Sequence, residues 1–250
     1  MNDKILKKEF RNIGVFIYVI SILMVSLATY FDAKLVEVFS LMYWEDSRLI
    51  HWWSYFTYIF EHSIYFDRPS ANHWFLFVHM GTNLSVIFLY GILTERRMGT
   101  NHFLIVSFLA YISNLTFILV ERRLALLGVA GSVAGASGVV FSYIPLGIYF
   151  HIKNCKENGK SIIKSIRTWL ILISIIFLYG VISFIAGAWT TICHLLSTVV
   201  GAIYILAVRK NVQVKYSRCY LLVLLIPLFL AGILVAYKMG KVPIYYKLWI

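Results

Sequence analysis

The sequence predicts an all-α membrane protein with seven transmembrane helices in a single membrane domain over residues 1–250. Of the 250 residues, 60% are hydrophobic and only 14% are charged, which is too few charges for the polar surface of a soluble domain of this length. The apolar runs approach the roughly 20 residues that a bilayer-spanning helix needs. The net charge of +12 comes from basic residues at the ends of these runs. No stacking aromatics are interleaved among them, so nucleic-acid binding is not expected.

The predicted spans follow the apolar runs in order along the chain. We expect the first to be an uncleaved helix, because no small-residue cleavage site follows its apolar run. The first six spans form a core over residues 13–208, and residues 209–250 contain an extra helix and a C-terminal tail. The spans lie near residues 13–30, 74–94, 102–120, 133–150, 168–187, 189–208 and 219–237.

The Lys and Arg residues between the spans predict the orientation. Alternate loops, starting with the N-terminal segment, contain 15 of these residues, and the loops on the other side contain 8. Since positive charge is retained on the cytoplasmic side, we expect the N-terminus inside and the C-terminus outside. We expect the plasma membrane, because the sequence has no recognisable organelle transit peptide.

The loop between the first two spans, roughly residues 31–73, mixes aromatic side chains with charged ones. Amphipathic rings settle at the headgroup level of a bilayer, so we expect this loop to lie partly in the membrane interface. Its aromatic residues include Trp44, Trp52, Trp53, Tyr55, Phe56, Tyr58 and Phe60.

The three cysteines are scattered along the chain. Cys155, Cys193 and Cys219 form neither a CxxC pair nor a metal-ligand spacing. We therefore expect no disulfide framework, no metal and no cofactor.

Polar side chains inside the spans mark a candidate site, because such groups are costly at membrane depth. His79 and Asn83 are spaced i and i+4, which puts them on one face of the second span. Ser137 lies in the glycine-rich entry of the fourth span, and His194 lies in the sixth. Counted at 1.5 Å per residue, His79, Ser137 and His194 each come to about 10 Å below the outer face of a core about 30 Å thick.

These residue types suit acyl transfer by a serine nucleophile. A serine hydroxyl needs a base to take its proton, and a neutral histidine is the usual one. Every Asp and Glu lies in a loop or at a helix end, so we expect a Ser137–His194 dyad without a carboxylate. His79, Asn83 and the backbone N–H of Ser137 are candidate donors to the oxyanion. Taken singly, each residue is more typical of helix packing or of an interhelical hydrogen bond than of catalysis.

Four motifs resemble those of the rhomboid family of intramembrane serine proteases, and together they cover roughly residues 52–205. The resemblance implies a six-helix core, with the seventh span as an addition. It implies Ser137 as nucleophile, His194 as general base, and His79 and Asn83 as oxyanion donors. The motifs are His79-Met-Gly-Thr-Asn83, Glu95-Arg-Arg-Met-Gly99, Gly135-Ala-Ser-Gly138, and His194 with Gly201 seven residues later.

The same resemblance implies supporting roles around the dyad. Phe141 is expected to stack on His194, Gly135 and Gly138 to allow a close backbone approach, and Gly201 to let the sixth helix pack against the fourth. Three features depart from the family pattern: Ser54 follows Trp53 where Arg is frequent, an insertion over 63–73 separates His62 from His79, and Ser197 stands where Gly is common.

The sequence therefore predicts an intramembrane serine endopeptidase that cleaves transmembrane protein substrates in the lipid bilayer through an acyl-enzyme, with its active site toward the extracytoplasmic side. The alternative is a catalytically inactive rhomboid-like protein that binds membrane proteins. A proton pathway or transporter is disfavoured, because no carboxylate lies in mid-membrane. The sequence has no HExxH motif and no pair of intramembrane aspartates.

Overall fold

The computed structural model describes most of the chain. The N-terminal segment 1–11, the insertion 63–73, the second half of the predicted span 168–187 and most of the predicted span 219–237 lie outside the described residues. The described residues are 12–32, 34–42, 51–62, 74–124, 132–133, 135–159, 161–175, 188–210, 229–230, 233–234 and 238.

The regular secondary structure of the described residues is helical except for one pair of two-residue strands. A 3-10 turn (Tyr58–Phe60) follows α3, and a π-helical turn (Ile87–Gly91) joins α4 to α5. The strands are β1 (Leu41–Met42) and β2 (Ser132–Val133). The helices are α1 (Ile13–Phe31), α2 (Lys34–Phe39), α3 (Ser54–Thr57), α4 (Trp74–Val86), α5 (Ile92–Met98), α6 (Thr100–Leu124), α7 (Ser137–Val140), α8 (Tyr143–Glu157), α9 (Ile166–Ile175) and α10 (Ala188–Val208).

Four helical segments in the described residues are long and apolar enough to cross a membrane. They coincide with the first, second, third and sixth predicted spans. Large apolar side chains stand exposed along them, as expected where a helix faces lipid. The four segments are Ile13–Phe31, Phe77–Met98, Thr100–Val120 and Thr191–Val208.

The entry to the fourth predicted span differs from the continuous helix that we expected near 133–150. Ser132 and Val133 form β2, which pairs antiparallel with β1. Gly135 has a φ of +114°, a conformation that glycine adopts readily and that a right-handed helix excludes. The helix therefore begins at Ser137, and after a turn at 141–142 it continues as α8 to Glu157.

The chain folds as two compact units. The first comprises the described residues within Met1–Val15, Leu84–Val129 and Ser137–Cys219. Its centre is α10, which packs against α6, α7 and α8. The helix α8 also approaches the π-helical turn closely, because a Cβ on Gly147 would lie within 3.0 Å of Tyr90 atoms.

The second unit comprises the described residues within Phe16–Asn83, Ala130–Ala136 and Tyr220–Ile250. It contains the described part of the loop that follows α1. Side chains of α3 and its N-cap hold this loop to α2, since the indole N–H of Trp53 donates to the carbonyl of Val38 at 2.9 Å and the Thr57 hydroxyl donates to that of Phe39 at 2.9 Å.

The aromatic residues of this loop differ in burial, and Trp44 lies outside the described residues. Tyr58 and Phe60 are buried, and the Phe60 ring meets Tyr18 of α1 edge to face, with centroids 5.6 Å apart. Trp52 and Phe56 are 64% and 55% exposed. Two large amphipathic or apolar rings thus point away from the protein, as an interfacial position for this loop requires.

The carboxylate of Glu95 satisfies the N-terminus of α1 within the first unit. It accepts hydrogen bonds from the backbone N–H groups of Gly14 and Val15, each at 2.9 Å, and from the Thr100 hydroxyl at 2.8 Å. The first N–H groups of a helix have no partner inside the helix, and a negative charge there is also favoured by the helix dipole. The motif that contains Glu95 ends at Gly99, whose φ of +85° closes the helix α5.

We expect Glu95→Ala to lower the free energy of unfolding by about 2–4 kcal/mol, because three buried donors lose their acceptor. Thermal unfolding in detergent micelles measures the loss. Glu157→Ala is the matched control. Its carboxylate lies 3.7 Å from Arg97 and 3.9 Å from Lys153, and it is 47% exposed, so its removal should cost less than about 1 kcal/mol. Equal losses in the two variants would contradict the capping role.

Candidate active site

Ser137 is the first residue of the four-residue helix α7 in the first unit. Its backbone carbonyl accepts the N–H of Phe141 at 3.4 Å. The left-handed backbone at Gly135 and the turn at 141–142 isolate this short helix from β2 before it and from α8 after it. The serine therefore lies at a helix start and not within a long span, so the backbone N–H of Ser137 is not used by an intrahelical bond.

His194 lies on α10 and is 1% exposed. Its imidazole stacks on the ring of Phe141, with centroids 3.9 Å apart and planes 12° from parallel. The backbone carbonyl of His194 accepts the hydroxyl of Thr198 at 2.9 Å. The stacking that we expected between Phe141 and His194 is present, and it fixes the plane of the imidazole against the segment that follows α7.

Gly201 and Gly138 allow close packing around α7, α8 and α10. A Cβ on Gly201 would lie 2.0 Å from the backbone carbonyl oxygen of Ser142 and 2.9 Å from Pro145. A Cβ on Gly138 would lie 3.2 Å from the Asn114 side chain. No side chain fits at Gly201 without a backbone shift, so this glycine sets the separation of α8 and α10.

A buried polar network lies next to these residues in the first unit. The Ser197 hydroxyl lies 2.7 Å from the carbonyl oxygen of Gly138 and 3.0 Å from that of Cys193. The Asn114 side-chain nitrogen lies 2.6 Å from the same Gly138 oxygen. We did not single out Asn114 from the sequence, although an amide inside the predicted span 102–120 is itself a signal.

The second unit holds the other predicted site residues, His79, Asn83 and Gly135. The His79 ring packs directly on Gly135, where a Cβ would lie 2.7 Å from the ring carbon Cε1. Asn83 is fully buried, and its amide makes no hydrogen bond with the residues that the structure describes. A buried amide without a partner is costly, and it is a group available to a ligand.

His62 is a buried residue of the second unit whose contacts we did not foresee. Its Nε2 accepts the backbone N–H of Ala136 at 3.3 Å, and its Nδ1 lies 3.2 Å from both the Phe60 carbonyl oxygen and the Ser26 hydroxyl. The ring of His79 lies 4.9 Å away, centroid to centroid. These partners favour the neutral tautomer with hydrogen on Nδ1. Burial, and to a smaller extent the charge of His79, lowers the pKa of His62 well below its usual value.

The described residues contain no group of three or more His, Cys, Asp or Glu side chains that could hold a metal ion. The fold and these residues define a helical membrane protein with a serine, histidines and a buried amide among apolar helices.

The sequence matches the family model described as "Rhomboid domain" over residues 50–211. The chain therefore belongs to the rhomboid family, whose members are generally intramembrane serine proteases. Family membership and the four apolar helices together indicate a multi-pass membrane protein. No curated protein matches the chain.

We expect the stability of the protein to fall as the pH drops below about 6.5, in part through His62. The folded state keeps this ring neutral, whereas the unfolded chain binds a proton near the ordinary histidine pKa of about 6.5. The unfolded state is then favoured by up to about 1.4 kcal/mol for each further pH unit. Thermal unfolding between about pH 5 and about pH 8 should give a flatter profile for His62→Gln, which keeps an acceptor but does not titrate. An unchanged pH dependence would rule out His62 as a source.

Proposed function

We propose that this chain is an intramembrane serine endopeptidase that hydrolyses peptide bonds in or near the transmembrane segments of membrane-protein substrates. Ser137 acts as the nucleophile and His194 as the general base. The observation that carries the proposal is the stacking of His194 on Phe141, four residues after Ser137. It joins the segment directly after the short helix of the serine to the helix that bears the base.

The dyad works by transfer of one proton in each direction. His194 takes the proton of the Ser137 hydroxyl as its oxygen attacks the peptide carbonyl, and the imidazolium then gives this proton to the leaving amine. Water, activated by the same ring, hydrolyses the acyl-enzyme. Stacking on Phe141 orients the imidazole, a task that a carboxylate performs in a triad. This chemistry requires no cofactor.

His79, Asn83 and the backbone N–H of Ser137 are the proposed donors to the oxyanion of the tetrahedral intermediate. Support for Asn83 comes from its burial and from the absence of a hydrogen-bond partner among the described residues. Support for His79 comes from its packing on Gly135, two residues before the nucleophile. Donors that are already desolvated need little reorganisation when the negative charge develops.

The proposed setting is the plasma membrane, with seven spans, a cytoplasmic N-terminus and the active site toward the extracytoplasmic side. The distribution of basic residues, 15 against 8, supports this orientation. A substrate helix would enter laterally from the lipid and unwind before cleavage, because the carbonyls of an intact helix are shielded by their own hydrogen bonds.

The second candidate function is that of a rhomboid-like protein which binds membrane proteins without cleaving them. Family membership is compatible with both candidates. The retention of Ser137, His194, His79 and Asn83 favours the protease.

We expect the purified wild type to cleave single-span test substrates in detergent and to react with a fluorophosphonate probe. Ser137→Ala and His194→Ala should abolish cleavage and labelling, because one removes the nucleophile and the other removes its base. His79→Ala and Asn83→Ala should slow cleavage about 10²-fold through the loss of an oxyanion donor. Gel assays of cleavage and of probe labelling measure these effects.

The matched control for this series is His102→Ala. This half-buried histidine of α6 bonds to the Tyr204 hydroxyl at 2.7 Å and should be replaceable without loss of cleavage. Cleavage that survives Ser137→Ala would refute the mechanism. A folded wild type that neither cleaves nor labels would favour the binding protein.

The proposed orientation predicts where a reporter fused to the chain will be active. A reporter enzyme that needs an extracytoplasmic, oxidising environment should be active when it is fused after Ile250 and inactive when it is fused after Lys215, because one further span lies between these two points. A fluorescent protein that folds only in the cytoplasm should give the opposite result. Equal activity of either reporter at both points would contradict the seventh span.

A further inference from the structure

The helix that begins with Ser137 is too short to hold its own position. It comprises only the four residues Ser137–Val140, and isolated helices shorter than about 12–15 residues are marginal even with favourable sequences. Its conformation and its place in the first unit therefore depend on contacts with neighbouring elements, which are α6, α8 and α10.

The carbonyl of Gly138 has lost its usual backbone partner. In a continuing α-helix this carbonyl would accept the N–H of Ser142, four residues later. That N–H bonds instead to the carbonyl of Val139 at 3.0 Å. The end of the helix thus leaves a carbonyl that needs a donor from elsewhere.

Two side chains from two different helices supply donors to this carbonyl. The Ser197 hydroxyl of α10 lies 2.7 Å from the Gly138 oxygen, and the amide nitrogen of Asn114 on α6 lies 2.6 Å from it. The same amide nitrogen lies 2.7 Å from the Ser197 hydroxyl and 3.0 Å from the Ala110 carbonyl oxygen. Both side chains are buried, with 1% or less of Asn114 and Ser197 exposed.

The positions of the acceptors determine the direction of this network. Three oxygens surround one end of the Asn114 side chain, so this end is the NH₂ group, because a carbonyl oxygen there would face two other carbonyl oxygens. One of its hydrogens points to the Ala110 carbonyl, the other is shared between the Gly138 carbonyl and the Ser197 hydroxyl oxygen, and the Ser197 hydrogen points to Gly138. In this arrangement every hydrogen has an acceptor.

We propose that Asn114 and Ser197 are positioning residues which hold the nucleophile helix in register with the base. This inference rests on the proposed function. Ser197 lies three residues after His194 on α10, hence on the same face of that helix. A bond from Ser197 to the residue that follows Ser137 therefore ties the serine backbone to the helix that carries the imidazole. The Phe141–His194 stack is the second contact between the two segments. Two contacts fix the orientation of the serine helix relative to α10, whereas one contact would leave it free to rotate.

A purely structural network would behave differently from a positioning one. Hydrogen bonds between transmembrane helices commonly contribute only to stability, and their loss then lowers the unfolding temperature without changing the reaction. A positioning network affects the rate at which Ser137 reacts, because small displacements of reacting groups slow chemistry strongly. The reaction of Ser137 with a small fluorophosphonate reports this directly, since the probe needs no substrate helix.

The test compares Ser197→Ala, Asn114→Leu and the double variant in the full-length purified protein. Leu keeps the size of Asn but donates no hydrogen bond. We expect each single variant to react with the probe about tenfold more slowly and to lower kcat for a single-span substrate by the same factor, with KM unchanged. The double variant should be no slower than the slower single variant, because both residues act through one carbonyl.

The matched control is Ser107→Ala on α6. Ser107 also makes hydrogen bonds, which are partly buried, to the Phe103 carbonyl and to the Tyr143 hydroxyl, each at 2.6 Å. Its loss should lower the unfolding temperature as much as Ser197→Ala does, yet leave the rate of probe labelling unchanged.

Three results would overturn the inference. Wild-type labelling rates in both single variants would reduce the network to a structural role, whatever their unfolding temperatures. Effects that multiply to about a hundredfold in the double variant would show that the two residues do not act through one carbonyl. A wild-type protein that the probe does not label would refute the proposed function and the positioning role together. Labelling of the wild type with unchanged rates in the variants would refute the positioning role alone.

Discussion

The backbone leaves regular secondary structure on either side of the short helix α7, and the polar groups left unpaired there have to be satisfied by side chains. An unpaired buried N–H or carbonyl costs about 1–3 kcal/mol in most proteins. In the apolar interior of a membrane the cost is several kcal/mol. The N–H of Ala136 donates a hydrogen bond to the ring of His62, and the carbonyl of Gly138 accepts one from the Ser197 hydroxyl. Each of these buried side chains satisfies a polar group of the irregular backbone within its own unit.

The same requirement explains the polar residues elsewhere in the apolar helices. Glu95 satisfies the first N–H groups of α1, and the Tyr90 hydroxyl lies 2.5 Å from that of Ser174 on α9. In the part of the chain that the structure describes, these polar groups serve the backbone or one another. Asn83 differs, since its buried amide has no such task among the described residues. This is why Asn83 is proposed as an oxyanion donor.

The sequence predicted the membrane-helical class, the rhomboid resemblance and the candidate residues, because ionisable groups stand out in apolar spans and motif spacings are local. It did not predict that the fourth helix starts at Ser137, since the alternation of small residues over 132–138 also suits a helix. Only the positive φ of Gly135 and the strand pair exclude it. Asn114 and His62 were missed because their partners, Gly138 and Ala136, are distant in sequence and meet them only through tertiary packing.

The glycines of α8 and α10 differ in how they restrict future sequence change. At Gly147 an added methyl group would lie 2.6 Å from the ring of Tyr90, 2.8 Å from its Cβ and 3.0 Å from its backbone Cα, so a smaller side chain at position 90 would relieve only the ring contact. At Gly201 it would meet a backbone carbonyl, which no exchange of side chains can remove. Lipid-facing positions such as Val199 and Ile203, which are 52% and 62% exposed, can drift among apolar residues independently. Position 201 accepts no other residue unless the main chain itself shifts. Sequence divergence of this protein should therefore be concentrated on its lipid-facing surface and absent from this helix crossing.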